Sequence, residues 1–165
     1  MNVARLGRPE LGDIEAAASR ALDPYRARLK FREGTRCPGC GALYRAGNWV
    51  WDSDAMLGMY ESLCPACRRV HDCLPAGYLR IDGSFAAAHR DRILQLLEDQ
   101  NRIVCRREPL ARIMSMLERD GVIEVTTTDA DLALKLGEAL QASYGGELDC
   151  EFNEAHHLVH ALWSN

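Results

Sequence analysis

Two cysteine pairs of the form Cys-Pro-x-Cys are the residues of this chain with the clearest chemistry. Cys37 and Cys40 form the first pair. Cys64 and Cys67 form the second, and 23 residues separate the two pairs. This spacing is typical of a tetrahedral site in which four thiolates lie about 2.3 Å from one Zn²⁺ ion. The sequence therefore predicts a four-cysteine zinc ribbon with Zn²⁺ as its cofactor.

A disulfide between the pairs and a redox-active dithiol are the alternatives to a zinc site. We expect no signal peptide, because residues 1–22 carry Asp13, Glu15 and Arg20 and lack an apolar run. The expected location is therefore cytoplasmic and reducing, where disulfides are rare. Four thiolates leave no position for a catalytic water, so the expected zinc site is structural.

Three residues close to the pairs bear on the ligand set. His71 and Cys73 are near enough in sequence to replace a ligand, but a ribbon needs only two in each knuckle. We interpret His71 as a polar neighbour and Cys73 as a small packed thiol. Gly41 follows the first pair and is predicted to let the backbone fold back, so that amide N–H groups reach the thiolates.

Net charge limits the kinds of partner. The chain has 165 residues and a formal charge of −4 at pH 7, which excludes a generic polycationic coat for nucleic acid. Residues 1–36 nevertheless hold eight Arg and Lys against five Asp and Glu, whereas residues 78–165 hold nine against fifteen. Any nucleic-acid contact is therefore expected from the N-terminal part. No apolar run is long enough for a membrane span, so no membrane partner is predicted.

A basic segment leads directly into the first knuckle. Basic and apolar residues alternate between Tyr25 and Phe31, which would place all cations on one face of an extended strand. Asp23 and Pro24 instead favour the start of a helix. Both geometries stay open, as do a phosphate-binding and a merely solvated surface. The candidate RNA contacts in this segment are Arg26, Arg28, Lys30, Arg32 and Arg36.

The ribbon adds further candidates for RNA binding. A Gly-Asn turn between short apolar runs predicts a hairpin, in which Trp49 and Trp51 share a face and Arg45 lies across the turn. The two indoles are predicted either to stack on bases or to pack around the zinc site. Arg68 and Arg69 follow the second knuckle. They are interpreted either as phosphate ligands or as counter-charges to the thiolates.

The chain is predicted to contain three regions. Residues 1–36 form an N-terminal helix, placed at residues 10–22, and the basic segment. Residues 37–77 form the zinc ribbon, which has too few aliphatic residues to fold without the free energy of metal binding. The breakers Leu74 to Gly77 predict a linker, and residues 78–165 form the second domain.

The second domain is predicted to be an α+β, ferredoxin-like βαββαβ unit with an extra strand, its single antiparallel sheet carrying both helices on one face. A long helix is expected to start at the cap Ser84, and a hairpin turn to lie at Asp120 and Gly121. Thr128 and Asp131 form a capping box for a second helix, which Gly145 should stop. The closing strands are expected at residues 147–152 and 157–163.

Signs of catalysis are missing from the sequence. It contains no Gly-rich phosphate loop, no Gly-x-Ser-x-Gly elbow and no His-Glu-x-x-His helix. In the last predicted strand His156 and His160 face away from His157, so a three-histidine metal site is not expected. Cys105 and Cys150 are interpreted as buried thiols. We therefore predict that the chain is not an enzyme.

The motifs together resemble a known group of proteins. They comprise the Cys-Pro-x-Cys-Gly knuckle with Tyr44 and Trp49-Val50-Trp51, the Cys-Pro-x-Cys-Arg-Arg knuckle with Pro75-Ala76-Gly77, then Gly83-Ser84-Phe85 with His89-Arg90, and finally Val125-Thr126-Thr127-Thr128-Asp129. These motifs resemble small bacterial zinc-ribbon proteins related to the N-terminal part of the Nmd-three ribosomal export adaptor, over most of residues 24–163.

The adaptor binds the large ribosomal subunit. The resemblance therefore implies a nonenzymatic zinc-binding protein that docks on a ribosomal particle or another structured RNA. The alternative is a zinc-stabilised protein-interaction module or regulatory adaptor, in which the second domain presents its sheet to a partner chain.

Overall fold

The structure, a computed structural model, describes residue 25 and residues 30–53, 60–153 and 158–165. The predicted helix at residues 10–22 lies outside these ranges, as do Arg26, Arg28, His156 and His157. None of the helices in the described part of the chain is long and apolar enough to cross a membrane.

A small sheet of four short strands holds the first cysteine pair. Its strands are β1 (Thr35–Arg36), β2 (Leu43–Arg45), β3 (Asn48–Val50) and β4 (Tyr60–Glu61), in the order β3-β2-β1-β4. The predicted hairpin is present between β2 and β3, but its turn residues are Ala46 and Gly47, with φ of 48° and 81°. Both angles are positive, as the two-residue turn that best matches strand twist requires. Asn48 therefore begins β3 and does not form the turn.

The second cysteine pair lies on a helix. Helix α1 (Pro65–Asp72) has Cys64 as its N-cap and proline at its first position, where the missing N–H costs nothing. The chain then enters β5 with no free linker, because Ala76 already donates its N–H to the Thr127 carbonyl at 2.9 Å and accepts from the Val159 N–H at 3.0 Å.

A five-stranded sheet forms the second unit. Its strands are β5 (Gly77–Asp82), β6 (Ile113–Arg119), β7 (Val122–Thr127), β8 (Glu147–Asn153) and β9 (Leu158–Ser164), in the order β6-β7-β5-β9-β8. Strand β9 runs parallel to β5, and the other neighbours are antiparallel. The chain is thus α+β with two mixed sheets, and the predicted ferredoxin-like arrangement with a single antiparallel sheet is not confirmed.

The position of β9 has a physical cause in its side chains. Val159, Ala161 and Trp163 alternate along β9 and are all buried, so this strand gains most from having a neighbour on each side. Strand β8 instead exposes Glu147, Asp149 and Glu151, and charged residues of this kind suit a sheet edge.

Three helices complete the second unit: α2 (Ser84–Ala88), α3 (Arg90–Cys105) and α4 (Ala130–Tyr144). The long helix predicted from Ser84 is divided, because the backbone leaves helical geometry at His89 with φ of −119° and ψ of 22°. The cap of α4 also differs from the prediction. Asp129, and not Thr128, accepts a hydrogen bond from the Leu132 N–H at 3.0 Å. Helix α4 ends at Gly145 as predicted.

One apolar core fills the space between the large sheet and its helices. The three inner strands of the sheet contribute alternate residues, and α3 and α4 contribute one stripe each. The buried members include Leu79, Ile81, Ile93, Leu97, Ile123, Val125, Leu132, Leu136, Leu140 and Trp163. Both long helices therefore cover the same face of the sheet. The other face is open to solvent and carries the exposed side chains of Leu117 and Leu162.

Candidate metal centre

The four predicted ligands lie together. The sulfurs of Cys37, Cys40, Cys64 and Cys67 are all within 4.8 Å of one another, and those of Cys40 and Cys64 are 3.7 Å apart. In a tetrahedron with metal–sulfur distances of about 2.3 Å, two sulfurs are about 3.8 Å apart. The cluster therefore has the dimensions of a four-thiolate site that can hold one metal ion.

The first knuckle depends on two glycines. Gly41 has φ of 80°, and its N–H donates to the Cys37 carbonyl at 2.8 Å, so the backbone turns back as predicted. Gly39 lies against the second pair, where an added Cβ would be 3.0 Å from the sulfur of Cys67. A side chain at position 39 would therefore displace a ligand.

The second knuckle is the N-terminus of α1. The sulfur of Cys64 accepts a hydrogen bond from the Cys67 N–H at 3.4 Å, and the Cys64 N–H in turn donates to the sulfur of Cys37 at 3.3 Å. Backbone N–H groups and the positive end of a helix both favour negative charge. Local structure thus stabilises thiolates before any metal is considered.

Arg112 joins the cluster from the second unit. Its Nη2 group donates to the sulfur of Cys67 at 3.2 Å and to that of Cys64 at 3.5 Å. Thr128 holds the backbone of this arginine, because its hydroxyl accepts from the Arg112 N–H at 2.9 Å and donates to the Leu110 carbonyl at 2.6 Å. The sequence gives no signal for this contact, since Arg112 is far from both pairs along the chain.

The crowded sulfurs change one another's affinity for protons. The hydrogen bond from Cys64 lowers the pKa of Cys40 to about 5, and the same contact, together with burial, raises the pKa of Cys64. Burial also raises the pKa of Cys67, although Arg112 opposes this change. Burial alone would lower the pKa of Arg112, but its hydrogen bond to Cys67 and the nearby thiolate charge raise it overall. Four ionised sulfurs would carry four negative charges, against the single positive charge of Arg112.

The two residues considered as replacement ligands, His71 and Cys73, are not part of the four-cysteine cluster. His71 is exposed and pairs with Asp72 at 2.9 Å. Cys73 is also exposed and ends α1 with φ of 54°. The prediction that Cys73 packs as a small apolar side chain is wrong, because the side chain is exposed. The residue instead ends the helix in a left-handed backbone conformation.

The two ribbon tryptophans have different surroundings. Trp49 is 7% exposed, and its ring lies 4.9 Å from that of Phe31 and 5.5 Å from that of Tyr44, in the cluster around the cysteines. Trp51 is 42% exposed, and its Nε1–H donates to the Cys105 carbonyl at 2.6 Å. Trp49 is therefore a packing residue in this structure, and only Trp51 presents its ring.

The candidate RNA-binding cations also divide by exposure. Lys30 and Arg32 are exposed, with the Arg32 guanidinium 5.0 Å from the ring centre of Tyr60. Arg69 is instead 3% exposed, lies 4.4 Å from the ring centre of Tyr25 and donates to the Leu74 carbonyl at 2.9 Å. Arg69 thus holds Tyr25 against α1 and offers little surface to a phosphate.

The three remaining candidates in the described residues are Arg45, Arg36 and Arg68. Arg45 is exposed and pairs with Asp52 at 2.6 Å. Arg36 donates to the Gly41 carbonyl at 3.2 Å, behind the first knuckle. Arg68 is partly buried on α1.

Comparisons of the chain with protein-family models, with curated proteins and with solved structures gave no match. The resemblance to the ribosomal export adaptor therefore stays a prediction from the sequence motifs.

Proposed function

We propose that this chain is a nonenzymatic zinc-binding protein that docks on a ribosomal particle or another structured RNA. The closed cluster of four cysteine sulfurs carries the first half of the proposal. Tetrahedral sites made only of thiolates are typical of structural Zn²⁺, which needs no open coordination position. Zn²⁺ would supply the charge that the crowded thiols lack and would connect the small sheet to α1.

Exposed cations beside the metal cluster support the second half. Lys30 and Arg32 precede β1, and the side chain of Arg45 at the end of β2 is 54% exposed. Arg45 belongs to the segment that metal binding folds, and Lys30 and Arg32 precede its first strand, so zinc would help to fix these cations relative to a phosphate backbone. The acidic residues of β8 lie in the other unit, which agrees with the uneven charge of the sequence.

Two measurements test this proposal. Metal analysis of freshly prepared, reduced protein should find about one zinc per chain, and the cobalt-substituted protein should show thiolate charge-transfer bands of a four-sulfur site. Protein in native lysate should sediment with ribosomal particles, lose this association after nuclease treatment, and bind RNA less tightly as salt rises.

A matched pair of charge reversals separates a local contact from net charge. The double variant Lys30→Glu with Arg32→Glu should lose RNA binding and keep its metal. The variant Arg92→Glu with Arg119→Glu changes net charge equally at exposed residues of the second unit and should bind nearly as before. Equal losses in both variants, or protein that ignores ribosomal fractions at low salt, would contradict the RNA proposal.

A protein-binding adaptor is the second candidate function. The open face of the large sheet supports it, because Leu117 is 51% exposed and Leu162 is 39% exposed on that face. Nuclease-resistant capture of one defined polypeptide, lost on Leu162→Glu, would favour this candidate.

A further inference from the structure

A groove lies where the ribbon meets the second unit. It has a volume of about 670 Å³, within the range of small-ligand sites, and lies between Trp51 and helix α3. Ile113 and Met116 give it an apolar floor, while Arg102 and Arg106 line its polar side. An occupant of this groove would therefore combine an apolar part with a polar or anionic part.

Trp51 is held in a fixed orientation at this groove. Its Nε1–H edge is bound to the Cys105 carbonyl at the end of α3, which prevents the ring from turning away. The ring is still 42% exposed, whereas Trp49 two residues earlier is 7% exposed. A fixed and accessible indole is a suitable platform for a planar group, since base stacking uses the ring face and leaves the N–H edge free for its bond.

The charges on α3 match a phosphate. Arg102 and Arg106 are four residues apart, so they lie on the same side of the helix. Arg102 has an exposed ion pair with Asp99 at 3.3 Å, and such pairs contribute little stability. For Arg106, no ion pair occurs within the ranges that the structure describes. Guanidinium groups bind phosphate oxygens in a two-point geometry, which makes this wall of the groove a phosphate contact.

Two polar side chains add the means to recognise a base edge. The Asn101 side-chain oxygen accepts from the Ile113 N–H at 3.0 Å, which fixes the amide and leaves its NH₂ group as a donor. Glu98 also lines the groove and is an acceptor. One donor and one acceptor beside an aromatic ring suit a nucleobase, which presents both kinds of group along its edge.

We infer that this groove binds one unpaired nucleotide of an RNA, with the base stacked on Trp51 and a phosphate held by Arg102 and Arg106. This inference rests on the proposed function and specifies which part of an RNA the protein contacts. It also gives Trp51 a role separate from that of Trp49, which packs beside the cysteines.

The test uses the full metal-loaded chain and short single-stranded oligoribonucleotides with a fluorescent end label, with fluorescence anisotropy of the label as the signal. Binding should raise the anisotropy, and Trp51→Leu should weaken the affinity by about 5- to 140-fold, the range given by one stacked base. Trp51→Phe keeps a ring and loses the N–H bond to Cys105, so it should retain most of the affinity. Arg106→Gln should weaken binding and reduce its salt dependence, whereas Arg92→Gln, at an exposed position near the start of the same helix, should do neither.

Each outcome separates this inference from the proposed function. Equal losses in Trp51→Phe and Trp51→Leu would show that the ring serves only to hold the ribbon on α3, and would overturn the inference. Binding that depends on Arg106 but not on the ring would indicate an acidic polypeptide and would also overturn it. If ribosomal association survives in Trp51→Leu and Arg106→Gln, the proposed function stands without this groove. If adenosine monophosphate binds as tightly as the oligonucleotide, the groove recognises a free nucleotide and not a nucleotide within an RNA, and the inference is overturned.

Discussion

At the scale of single residues, Arg112 links the second unit to the metal cluster. It is the described cation that donates to the sulfurs of two ligands, and it comes from the opposite unit. Replacing a side chain that binds the ligands of a metal site typically lowers metal affinity by about 10- to 100-fold. The metal cluster is therefore completed by the second unit.

We predict that Arg112→Ala lowers metal affinity by about 10- to 100-fold, because two ligand sulfurs lose their donor. Arg112→Lys keeps the charge but loses the forked geometry, so its affinity should be intermediate. Competition with a chromophoric chelator measures both values. Arg107→Ala removes an exposed arginine from the same loop between α3 and β6 and should leave metal affinity unchanged. A similar loss of affinity in this control would contradict a specific role for Arg112.

Two strained residues offer a gain in stability. Ala46 and Cys73 have φ of 48° and 54°, where a Cβ atom is unfavourable. Ala46→Gly and Cys73→Gly should each raise the free energy of unfolding by about 0.5 to 1 kcal/mol, measured by denaturant titration. Ala87→Gly, at an exposed position of α2 with ordinary helical geometry, should lower it by a similar amount. Destabilisation in all three variants would show that strain at the two positions is already relieved.

At the scale of helices and strands, Thr128 connects β7 to the segment that carries Arg112. The residue is buried. Its hydroxyl accepts a hydrogen bond from the Arg112 N–H and donates one to the Leu110 carbonyl. An isosteric change would leave a buried donor and a buried acceptor without partners.

We predict that Thr128→Val destabilises the protein by about 1 to 3 kcal/mol and lowers metal affinity less than Arg112→Ala does. The effect on metal affinity is smaller because Arg112 loses the hydrogen bond that holds its backbone but keeps the guanidinium group that binds the sulfurs. Thermal unfolding and chelator competition on the same samples measure the two effects. Thr126→Val removes a hydroxyl from the solvent side of the same strand and should affect stability less and metal affinity not at all.

Elements defined by neighbouring residues could be predicted from the sequence, and those defined by distant contacts could not. The cysteine pairs, the turn at Asp120 and Gly121 and the end of α4 at Gly145 depend on local chemistry, and the structure has all of them. The sequence predicts Thr128 as the cap of α4, because a hydroxyl in that place is a good cap, but the Thr128 hydroxyl bonds to the backbone of Leu110 and Arg112. The place of β9 follows from pairing with β8 and with β5, which is distant along the chain, and the pattern of a single strand does not reveal its neighbours.

At the scale of the whole molecule, the apolar residues around the cysteines and those of the large sheet form separate clusters. The cluster around Trp49 includes the cysteines, with Leu110 of the second unit packed against it. The core around Trp163 contains most of the large aliphatic residues. Because this larger core includes none of the cysteine ligands, its stability should not depend on metal.

We predict that chelation with excess thiol unfolds the small sheet and leaves the large one in place. Hydrogen exchange should show loss of protection for amides of β2 and β3, while those of β5, β7 and β9 stay protected. Adding one equivalent of Zn²⁺ should restore the first set. Simultaneous loss of protection in both sheets would show that the units share one cooperative core.

The central place of β9 has a further consequence for how the chain folds. Leu79 and Ala161 are partners in the register of β5 and β9, although 82 positions separate them (79 to 161). Closing so long a loop costs entropy before any pairing repays it, and ladders of this kind form slowly. On a ribosome, β5 and β8 emerge before the strand that must separate them. The nascent sheet therefore has two unpaired inner edges until its last strand is made, and this interval is when the chain is most exposed to misassembly.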